Sequence, residues 1–527
     1  ADTTASAAED VAPAQPVTAW ERAVWTMLAF VPSSLLLGVT TFISTDLTPA
    51  PLLWVVPLAL YLLSFTLVFA PRPLVPHRWM VAVQPSLLTG VAILLLQRYL
   101  NEPVLTIPLH LAGLFVTAMV CHGELARRRP GVRHLTEFYL WIAVGGVLGG
   151  AFNVLLAPVL FPRVWEYPLV LALACLARPW PRERKPVGWH AGTALAAFVF
   201  AGVLMAAVRP APSNLSSPVA VVAVGLVMTL IVIFLGRAPV WLALCLGSLL
   251  LVRTLSSLHG DGTLLAARSF YGSYRVYESG LRDSFHVLAH GSTLHGAQSL
   301  DPARRTEPLT YYLRSGPIGR VFNATPVLSG GRRVAVVGLG AGTLAAYGAK
   351  GEAWTFYEID PGIERIARDP RFFTYLADSR ADLRVVLGDA RLSLAREQGP
   401  AYHLILLDAF SSDAIPTHLL TREALEVYLS RLAPGGVIAF HLSNRFFDLE
   451  PVVAALARER GLAARTASGP LGRRGGYEYY STWLVVARSE EDLGSLARHR
   501  GWTRPALSPG VHPWTDDFSS LLQVITW

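Results

Sequence analysis

Hydrophobic residues are distributed unevenly along the chain. Residues 18 to about 255 hold most of the long apolar runs, whereas the remainder alternates short apolar segments with polar turns, as soluble domains do. A helix that crosses a bilayer needs about 20 apolar residues, so the pattern predicts about 8–9 membrane-spanning helices. The candidate spans are 20–44, 52–70, 80–100, 104–121, 136–157, 164–177, 189–208, 218–235 and 238–254.

The segment before the first apolar run, residues 1–17, is small, polar and proline-containing, so we expect a disordered tail. A domain of transmembrane helices is predicted to follow over 18–256. Within its fifth span, GGVLGG (145–150) places small residues four apart on one helix face, which favours close packing of helices in lipid.

The C-terminal half has the pattern of a folded α/β protein. Short alternating stretches predict a small β subdomain at 257–328, and from 329 to 527 strands alternate with helices, which is typical of a doubly wound, Rossmann-like domain. We expect helices at 343–350 and 421–436, the second ended by a Pro-Gly stop. The predicted strands are VAVVG (334–338), WTFYEID (354–360), LRVVLGD (383–389), YHLILLDAF (402–410), GVIAFHLSN (436–444) and STWLVVARS (481–489).

The net charge of +8 does not indicate nucleic-acid binding, because much of the excess lies in short loops between apolar runs. These loops, at 71–79, 127–134 and 178–186, have the composition that orients membrane proteins. Their alternation places the N-terminus in the cytoplasm. Nine spans would then place the C-terminal half outside, and this conflict stays open.

A glycine-rich turn, GLGAGT (338–343), follows the first strand of the α/β domain. Gly338, Gly340 and Gly342 at alternate positions let the backbone pass close to a ligand. A dinucleotide-binding turn would prefer G-x-G-x-x-G with a small third residue at the position of Thr343. The G-x-G-x-G spacing instead favours an adenosyl-sulfonium cofactor and a domain of class I methyltransferase type.

Three acids close three successive strands. Glu358 ends the second strand, where it can accept hydrogen bonds from both hydroxyls of a ribose. Asp389, followed by Ala390, ends the third strand and could reach an adenine amino group. Asp408 ends the fourth strand, next to where a reacting carbon would lie. Each acid alone could cap a helix, but together with the glycine turn they indicate a cofactor site.

These motifs resemble those of the spermidine synthase family of aminopropyltransferases, and more closely the membrane-fused spermidine synthase-like proteins of bacteria. The resemblance implies a small β domain on a Rossmann-like domain. It also implies transfer of an aminopropyl group from decarboxylated S-adenosylmethionine to a diamine such as putrescine, with release of methylthioadenosine. The matching segments, within about 268–527, are HGAQ (295–298), TYY (310–312), VVGLGAG (336–342), YEIDP (357–361), GDAR (388–391), LLDAFSSDAIP (406–416) and WTDD (514–517).

Carried over onto this sequence, the resemblance implies a role for each matched residue. Gln298 would lie beside the nucleoside or its sulfur, Glu358 would hold the ribose, and Asp389 the adenine. Asp408 would accept a proton from the attacking amine, which Tyr312 would position. This proton must leave because an ammonium group cannot attack carbon. The sulfonium is a good leaving group, so no metal is expected.

Further acids and aromatic side chains would hold the acceptor amine. Soluble members carry D-x-x-D, whereas here the second acid, Asp413, lies in a longer loop and either lines the amine pocket or caps the next helix. Near the C-terminus, Trp514 with Asp516 and Asp517 could close over the amine or form a turn that caps a helix. Tyr311, in the matched TYY segment, is a further candidate, since an aromatic ring can face a cation.

One departure from the family's pattern concerns the donor. The turn has Ala341 where the family has an acid that holds the amine of the aminopropyl donor. Ordinary S-adenosylmethionine is therefore an alternative to the decarboxylated form. Methyl transfer and cleavage of S-adenosylmethionine are the alternative activities, and a polyamine sensor or transporter without catalysis is the alternative outside enzymes.

The remaining expectations concern partners and location. The expected partners are a small-molecule amine and the lipid bilayer, with no nucleic acid, and a homodimer is compatible with the resemblance. We expect a multi-pass protein of the cell inner membrane with its catalytic domain in the cytoplasm, in conflict with an odd span count.

Overall fold

The computed structural model describes most of the chain. The described residues are 16–47, 53–72, 74–96, 103–180, 188, 191–192, 195, 235, 238–259, 262–280, 284–291, 293–325, 331–409, 415–444, 447–469, 477 and 479–526. The predicted tail at 1–17 and the candidate spans at 189–208 and 218–235 lie largely outside these residues.

The chain forms two compact units. The described residues within Ala1–Thr40, Trp54–Ala157 and Trp165–Arg253 belong to the first unit, and those within Thr41–Leu53, Pro158–Val164 and Thr254–Trp527 belong to the second. The predicted divisions after residues 17, 256 and 328 stay predictions.

Apolar helices occupy the N-terminal half. Four of those described are long and apolar enough to cross a membrane: Ala19–Phe42, His77–Leu95, Val104–Arg127 and Val132–Leu160. These helices support the predicted membrane character, whereas the number of spans stays a prediction. The helix bounds are Ala19–Phe42, Val55–Phe69, His77–Leu96, Pro103–Arg127, Leu135–Ala151, Ala157–Leu160, Glu166–Ala174 and Pro239–His259, with π-helical turns at Ile43–Leu47 and Phe152–Leu156.

The glycines of the GGVLGG segment lie against the first helix. A β-carbon on Gly145 would come within 2.3 Å of the carbonyl oxygen of Thr26, and one on Gly149 within 2.7 Å of that of Phe30. Larger residues would force the two helices apart. Close helix packing is therefore the role of these glycines, in agreement with the prediction from their spacing.

Four antiparallel strands open the C-terminal half. They are β1 (Thr263–Ser269), β2 (Gly272–Ser279), β3 (Phe285–His290) and β4 (Thr293–Ser299), in the spatial order β1-β2-β3-β4. Each strand pairs with the one before it, so successive hairpins fix the order. β4 lies against the glycine turn, since a β-carbon on Gly296 would come within 2.6 Å of the β-carbon of Ala341.

A seven-stranded sheet follows, in the order β10-β11-β9-β8-β5-β6-β7. Its strands are β5 (Arg333–Val337), β6 (Ala353–Glu358), β7 (Asp382–Leu387), β8 (Tyr402–Leu407), β9 (Leu432–His441), β10 (Ala463–Ser468) and β11 (Thr482–Ala487). β5 to β9 pair in parallel, whereas β11 is antiparallel to both neighbours. The order reverses at β5, and ligands of doubly wound sheets bind at such a switch point. The predicted Rossmann-like fold class is confirmed.

The central strands of this sheet are covered on both faces, which explains why β5 is apolar and buried from Val334 to Val337. In β5, Val334 and Val336 belong to one hydrophobic cluster, and Ala335 and Val337 belong to the other. The helices of this domain are Pro317–Ala324, Pro361–Arg368, Tyr375–Asp378, Ala390–Arg396, Arg422–Arg431 and Glu450–Glu459.

Two predicted helices differ from those observed. The segment 343–350 contains a five-residue 3-10 turn, Thr343–Tyr347, because glycines flank it on both sides. The helix predicted over 421–436 ends at Arg431, and β9 begins at the next residue. The register of β9 against β8 shifts between Leu432 and Val437, so the Pro-Gly-Gly segment is an irregularity within a strand rather than a helix stop.

Candidate active site

The turn after β5 passes close to the end of β8. A β-carbon on Gly338 would come within 2.2 Å of the backbone oxygen of Asp408. Gly338 also has a φ of +97°, in the region that favours glycine. Gly340 and Gly342 likewise have positive φ. The absence of side chains at Gly338 and Gly340 lets the turn lie close to the backbone of Asp408 and of His295, whose carbonyl oxygens would clash with a β-carbon there.

The carboxylate of Glu358 lies beside the same turn. Its Oε2 accepts a hydrogen bond from the backbone N–H of Leu339 at 2.9 Å, and its Oε1 accepts one from that of Asp360 at 2.9 Å. Burial raises the pKa of Glu358, although these backbone bonds oppose the shift. Each oxygen keeps further lone pairs, so the carboxylate can also accept hydrogen bonds from ribose hydroxyls.

Asp408 follows the last residue of β8 and forms two hydrogen bonds. The Tyr312 hydroxyl donates to Oδ2, and Nδ1 of His441 lies 2.7 Å from Oδ1. The side chains of Asp408 and His441 are each 6% exposed. Burial alone would raise the pKa of Asp408, but the charge of His441 and the hydrogen bonds from His441 and Tyr312 outweigh it, so the pKa lies below its ordinary value. Asp408 is therefore ionised at neutral pH.

His441 is the last residue of β9 and stacks between two aromatic rings. The ring of Tyr311 lies 4.6 Å away at an interplanar angle of 20°, and that of Trp483 lies 4.8 Å away at 23°. Nε2 of His441 lies 2.9 Å from Oγ of Ser443, which accepts a hydrogen bond from the N–H of Thr482 at 2.8 Å. The imidazole is thus held at both faces and at both nitrogens.

Tyr311 and Tyr312 reach this pair from a strained loop. Thr310, just before them, has a φ of +61°. Among the described residues it is the only non-glycine residue with a positive φ. Its N–H donates to the carbonyl of Tyr477 at 2.7 Å, and its carbonyl accepts from the N–H of Tyr479 at 3.2 Å. Such strain persists only where the surrounding structure enforces it, which indicates that the loop is held to place the two tyrosines.

A cavity of about 790 Å³ opens in front of Asp408 and His441. Its volume lies within the range of small-molecule sites, about 300–1,000 Å³. The rest of the described wall includes Arg275 and Tyr277 of β2, His295 of β4, Asn444 and Tyr479. A substrate in this cavity could exchange a proton with Asp408.

His295 contributes an unusual group to the cavity wall. Its Nε2 is buried without a hydrogen-bond partner among the described residues. Burial lowers the pKa of His295 to about 4, so the ring is neutral at neutral pH. The next residue, Gly296, packs on Ala341, which is 1% exposed. A methyl group against β4 therefore occupies the position where the resembling family has an acid.

Gln298 uses its side-chain amide for contacts within the protein. Nε2 donates to the carbonyl of Arg305 at 2.8 Å and to Oγ1 of Thr374 at 2.9 Å, and Oε1 accepts from the N–H of Thr374 at 2.8 Å. Both amide hydrogens are thereby used. The amide ties β4 to the segment before Tyr375, and the predicted contact with a nucleoside stays a prediction.

Asp389 caps a helix. Its Oδ1 accepts a hydrogen bond from the N–H of Leu392 at 2.8 Å, and its Oδ2 lies 3.1 Å from Nε2 of His418. Ala390 begins the capped helix and is buried. The helix-cap alternative is thus observed for Asp389, and the adenine contact predicted for Asp389 and Ala390 stays a prediction.

The residues predicted from the WTDD segment are absent from the described wall of the cavity. Both oxygens of Asp516 accept hydrogen bonds from Arg391, each at 2.7 Å. Trp514 is fully buried in a hydrophobic cluster, and Asp517 is exposed. This geometry gives no support to their predicted contact with an amine. Asp413 lies outside the described residues.

His441 and Ser443 were not predicted from the sequence, although a signal was present. β8 and β9 pair in parallel with Leu407 opposite Phe440, so the residues that follow, Asp408 and His441, are neighbours. Side chains at the carboxyl ends of adjacent parallel strands share one edge of the sheet. Use of this signal requires knowing that β8 and β9 are adjacent.

No family model matches the chain. A polyamine aminopropyltransferase of Vibrio vulnificus is 36% identical over 148 residues, which are 26% of this chain and 46% of that protein, so the chain spans less than half of this relative's length. Among solved structures, a probable spermidine synthase from Corynebacterium glutamicum aligns with a TM-score of 0.37 and 17% identity over 50% of this chain and 98% of that one. A spermidine synthase from Thermotoga maritima aligns with a TM-score of 0.32 and 14% identity, over 48% of this chain and 81% of that one.

The sequence match bears directly on the resemblance predicted from the motifs. The structural alignments, with their low scores and identities, add nothing to it. Over 26% of its length, the chain is similar to a polyamine aminopropyltransferase, which confirms the predicted resemblance.

Proposed function

We propose that the α/β half of the chain is a transferase of the polyamine aminopropyltransferase type. The observation that carries the proposal is the carboxylate of Asp408. It lies just beyond β8 and beside the glycine turn, it is hydrogen-bonded to Tyr312 and His441, and it lines a cavity. The sequence match to a polyamine aminopropyltransferase supports the same chemistry.

The proposed reaction couples substitution at carbon to the loss of a proton. An acceptor amine arrives as an ammonium ion and gives one proton to the Asp408 carboxylate. Its nitrogen then forms a bond to the methylene carbon attached to sulfur. The carbon–sulfur bond breaks, its electron pair stays on sulfur, and the positive charge passes to the product amine. Tyr312 would orient the carboxylate, and the ring of Tyr311 would face the cation.

The donor nucleoside would lie along the carboxyl ends of β5 and β6. The bare backbone at Gly338 lets the turn pass close to the end of β8, so the turn and Asp408 border the same space. Glu358 would accept hydrogen bonds from the ribose hydroxyls, and Asp389 and Ala390 would border the adenine. Gln298 would act from β4, on the other side of the turn. Decarboxylated S-adenosylmethionine is the donor that this reaction requires.

Ordinary S-adenosylmethionine is a second candidate donor, and Ala341 is the observation that favours it. The buried methyl group of Ala341 cannot hold an ammonium group as an acid would. The neutral ring of His295, in the nearby cavity wall, could donate a hydrogen bond to a carboxylate. With this donor, methyl transfer or cleavage of S-adenosylmethionine would be the activity.

We further propose that the N-terminal helices anchor the enzyme in the cell inner membrane, with the α/β domain in the cytoplasm. The support is the four described helices of sufficient length and apolar composition. A homodimer stays a prediction. Protease access to the α/β domain in right-side-out and inverted membrane vesicles tests the orientation, and digestion only in right-side-out vesicles would contradict it.

Incubation of the purified full chain with decarboxylated S-adenosylmethionine and putrescine tests the proposed reaction. We expect methylthioadenosine and spermidine in equal amounts. With ordinary S-adenosylmethionine, formation of S-adenosylhomocysteine would select methyl transfer, and methylthioadenosine without an acceptor would select cleavage. The absence of products from both donors with every common diamine would refute the proposal.

A further inference from the structure

The main chain of Tyr312 is held by a second tyrosine. Its carbonyl oxygen accepts a hydrogen bond from the Tyr347 hydroxyl at 2.6 Å. The two residues are 6% and 9% exposed, and no backbone N–H of the described residues donates to this carbonyl. A buried carbonyl needs a hydrogen-bond partner and can only accept, so the Tyr347 hydroxyl is the donor that satisfies it.

The position of Tyr347 is fixed by its own surroundings. It is the last residue of the 3-10 turn Thr343–Tyr347, which begins directly after Gly342. Its ring stacks on that of Phe322, with the ring centres 4.2 Å apart and an interplanar angle of 14°, and Phe322 in turn stacks on Trp354. The hydroxyl therefore has a defined place relative to the glycine turn.

The loop that carries Tyr312 meets the 3-10 turn at a further point. The guanidinium of Arg314 lies 4.8 Å from the centre of the Tyr347 ring, and its Nη2 donates to the carbonyl of Ala346 at 2.8 Å. Arg314 is exposed, so water competes for this contact. The buried hydroxyl bond from Tyr347 to Tyr312 is the contact that water does not reach.

The loop is held on the other side of its strained residue as well. The N–H of Thr310 donates to the carbonyl of Tyr477, and its carbonyl accepts from the N–H of Tyr479. Two residues further on, Tyr347 holds the carbonyl of Tyr312. A positive φ at a threonine persists only where the surrounding structure enforces it, and these contacts restrain the backbone on both sides of Thr310.

These bonds connect the glycine turn with the carboxylate of Asp408. The turn lies directly against the backbone of Asp408 at Gly338. A second connection reaches the side chain, because Tyr347 donates to the carbonyl of Tyr312 and the Tyr312 hydroxyl donates to Asp408. The segment expected to border the donor therefore also determines where the proton acceptor is held.

We propose that Tyr347 is a positioning residue of the transferase: its hydroxyl holds the loop that carries Tyr312, and through Tyr312 it orients the Asp408 carboxylate toward the acceptor amine. This inference rests on the proposed transferase function and adds a residue to it. Tyr347 is absent from the described wall of the cavity, so it acts through Tyr312. The proposed reaction gains no further proton transfer or bond.

A double-mutant cycle of Tyr347→Phe and Tyr312→Phe in the full chain tests this role. Phenylalanine at position 347 keeps the stacked ring and removes the hydroxyl. We expect Tyr347→Phe alone to lower kcat/KM for the amine about 3–10-fold, because a small displacement of a catalytic group slows the reaction. In the Tyr312→Phe background the same change should alter kcat/KM by less than about twofold, because the hydroxyl that Tyr347 positions is already absent.

The KM for the donor should change by less than about twofold in Tyr347→Phe, because the hydroxyl acts on the side of the amine. A loss of kcat/KM by the same factor in both backgrounds would show that Tyr347 contributes only to the fold, and would overturn the inference. Full activity of Tyr347→Phe would overturn it as well.

Tyr428→Phe is the matched control for the loss of a buried hydroxyl. The Tyr428 hydroxyl also donates to a main-chain carbonyl, that of Leu419 at 3.1 Å. Tyr428 and Tyr347 are both buried but belong to different hydrophobic clusters, and the Tyr428 bond does not involve the loop of Tyr312. The kcat/KM of this control should equal that of the wild type.

Hydrogen exchange of the full chain measures the restraint on the loop without reference to catalysis. The N–H of Tyr312 donates to the carbonyl of Leu309 at 3.2 Å. In Tyr347→Phe we expect the amides of residues 309–312 to exchange about tenfold faster than in the wild type, and in Tyr428→Phe at the rate of the wild type. Unchanged exchange in Tyr347→Phe would overturn the inference even if transfer is observed. A wild type without transferase activity would instead refute the proposed function, and the exchange rates would still decide whether Tyr347 holds the loop.

Discussion

Two aspartate–histidine pairs follow strands of the same sheet, and their surroundings differ. Asp408 and His441 lie 2.7 Å apart and are each 6% exposed, whereas Asp389 and His418 lie 3.1 Å apart and are 24% and 51% exposed. Water competes for the second pair and is largely excluded from the first, so the same interaction is stronger in the buried pair. Residue types at strand ends therefore do not identify the reactive acid, whereas burial and partners do.

The hydrogen-bond partners of Asp389 and Asp408 support the same distinction between the two acids. Asp389 uses its other oxygen to cap a helix at Leu392. Asp408 instead receives the hydroxyl of Tyr312 and lines a cavity. Asp389 caps a helix, a role that an acid can have at the start of any helix. Asp408 is held by two hydrogen bonds and faces a cavity.

The largest expected effect separates the two acids. Asp408→Asn should lower kcat/KM by about 10²–10⁴-fold, because the proton acceptor is lost. Asp389→Asn should act mainly on the KM of the donor, by no more than about tenfold, the equivalent of about 1.4 kcal/mol. Release of methylthioadenosine measures both, and equal losses in kcat for the two variants would break the distinction.

The second prediction concerns the Tyr312 hydroxyl, which donates a hydrogen bond to Asp408. Tyr312→Phe removes a hydrogen bond to a charged group, which contributes about 1.5–3 kcal/mol, so kcat/KM should fall about 10–100-fold. Tyr428→Phe is the matched control, since Tyr428 is also buried but its hydroxyl donates to the carbonyl of Leu419. Steady-state kinetics should show no loss of activity in this control, and a similar loss in both variants would argue against a specific role of Tyr312.

The contribution of Asp408 to stability should also depend on pH. The pKa of Asp408 is lowered in the folded chain, so its contribution to stability is full above its unfolded pKa of about 3.9 and is lost as the pH falls through the folded pKa. The Tm advantage of the wild type over Asp408→Asn should therefore shrink below about pH 4. Thermal unfolding of both proteins over this range provides the measurement, and an advantage that grows on acidification would contradict the sign.

The smallest effect is expected at the surface. Asp516→Asn breaks the ion pair with Arg391, in which the Asp516 side chain is 45% exposed. Such pairs contribute about 0–1 kcal/mol and weaken with salt, so Tm should fall by no more than about 2–4 °C and less at high ionic strength. The KM for the amine should also be measured in this variant. A clear rise in this KM would indicate that Asp516 contacts the acceptor amine.

The sequence was sufficient to predict six of the seven strands of the doubly wound sheet, because most of them are largely apolar and glycine or acid residues follow several of them. The seventh, β10, was not predicted, because its sequence AARTAS consists of small and polar residues. The sequence also indicated that Glu358 and Asp408 lie at one edge, because the carboxyl ends of parallel strands meet there. Local patterns failed where tertiary pairing decides the outcome. The segment after Arg431 joins β9 through its register with β8 and does not continue as a helix.

The remaining features of the site depend on strand order and packing. His441 becomes a partner of Asp408 because β9 lies beside β8, and no local spacing reports that adjacency. Trp514 was predicted to close over the amine together with Asp516 and Asp517, but its side chain is buried in a hydrophobic cluster. The sequence of a tryptophan beside two acids is the same whether the ring covers a substrate or is buried in a core. Only the packing in the folded chain distinguishes these two roles.

A structure of the full chain with methylthioadenosine and putrescine would test the central claim most directly. We predict that an amine nitrogen lies within about 2.6–3.2 Å of an Asp408 oxygen. The ribose hydroxyls should contact Glu358, and His441 should keep its hydrogen bond to Asp408. An amine bound away from Asp408, for example against Asp389 or Asp516, would contradict the assignment of the buried pair as the site of proton transfer.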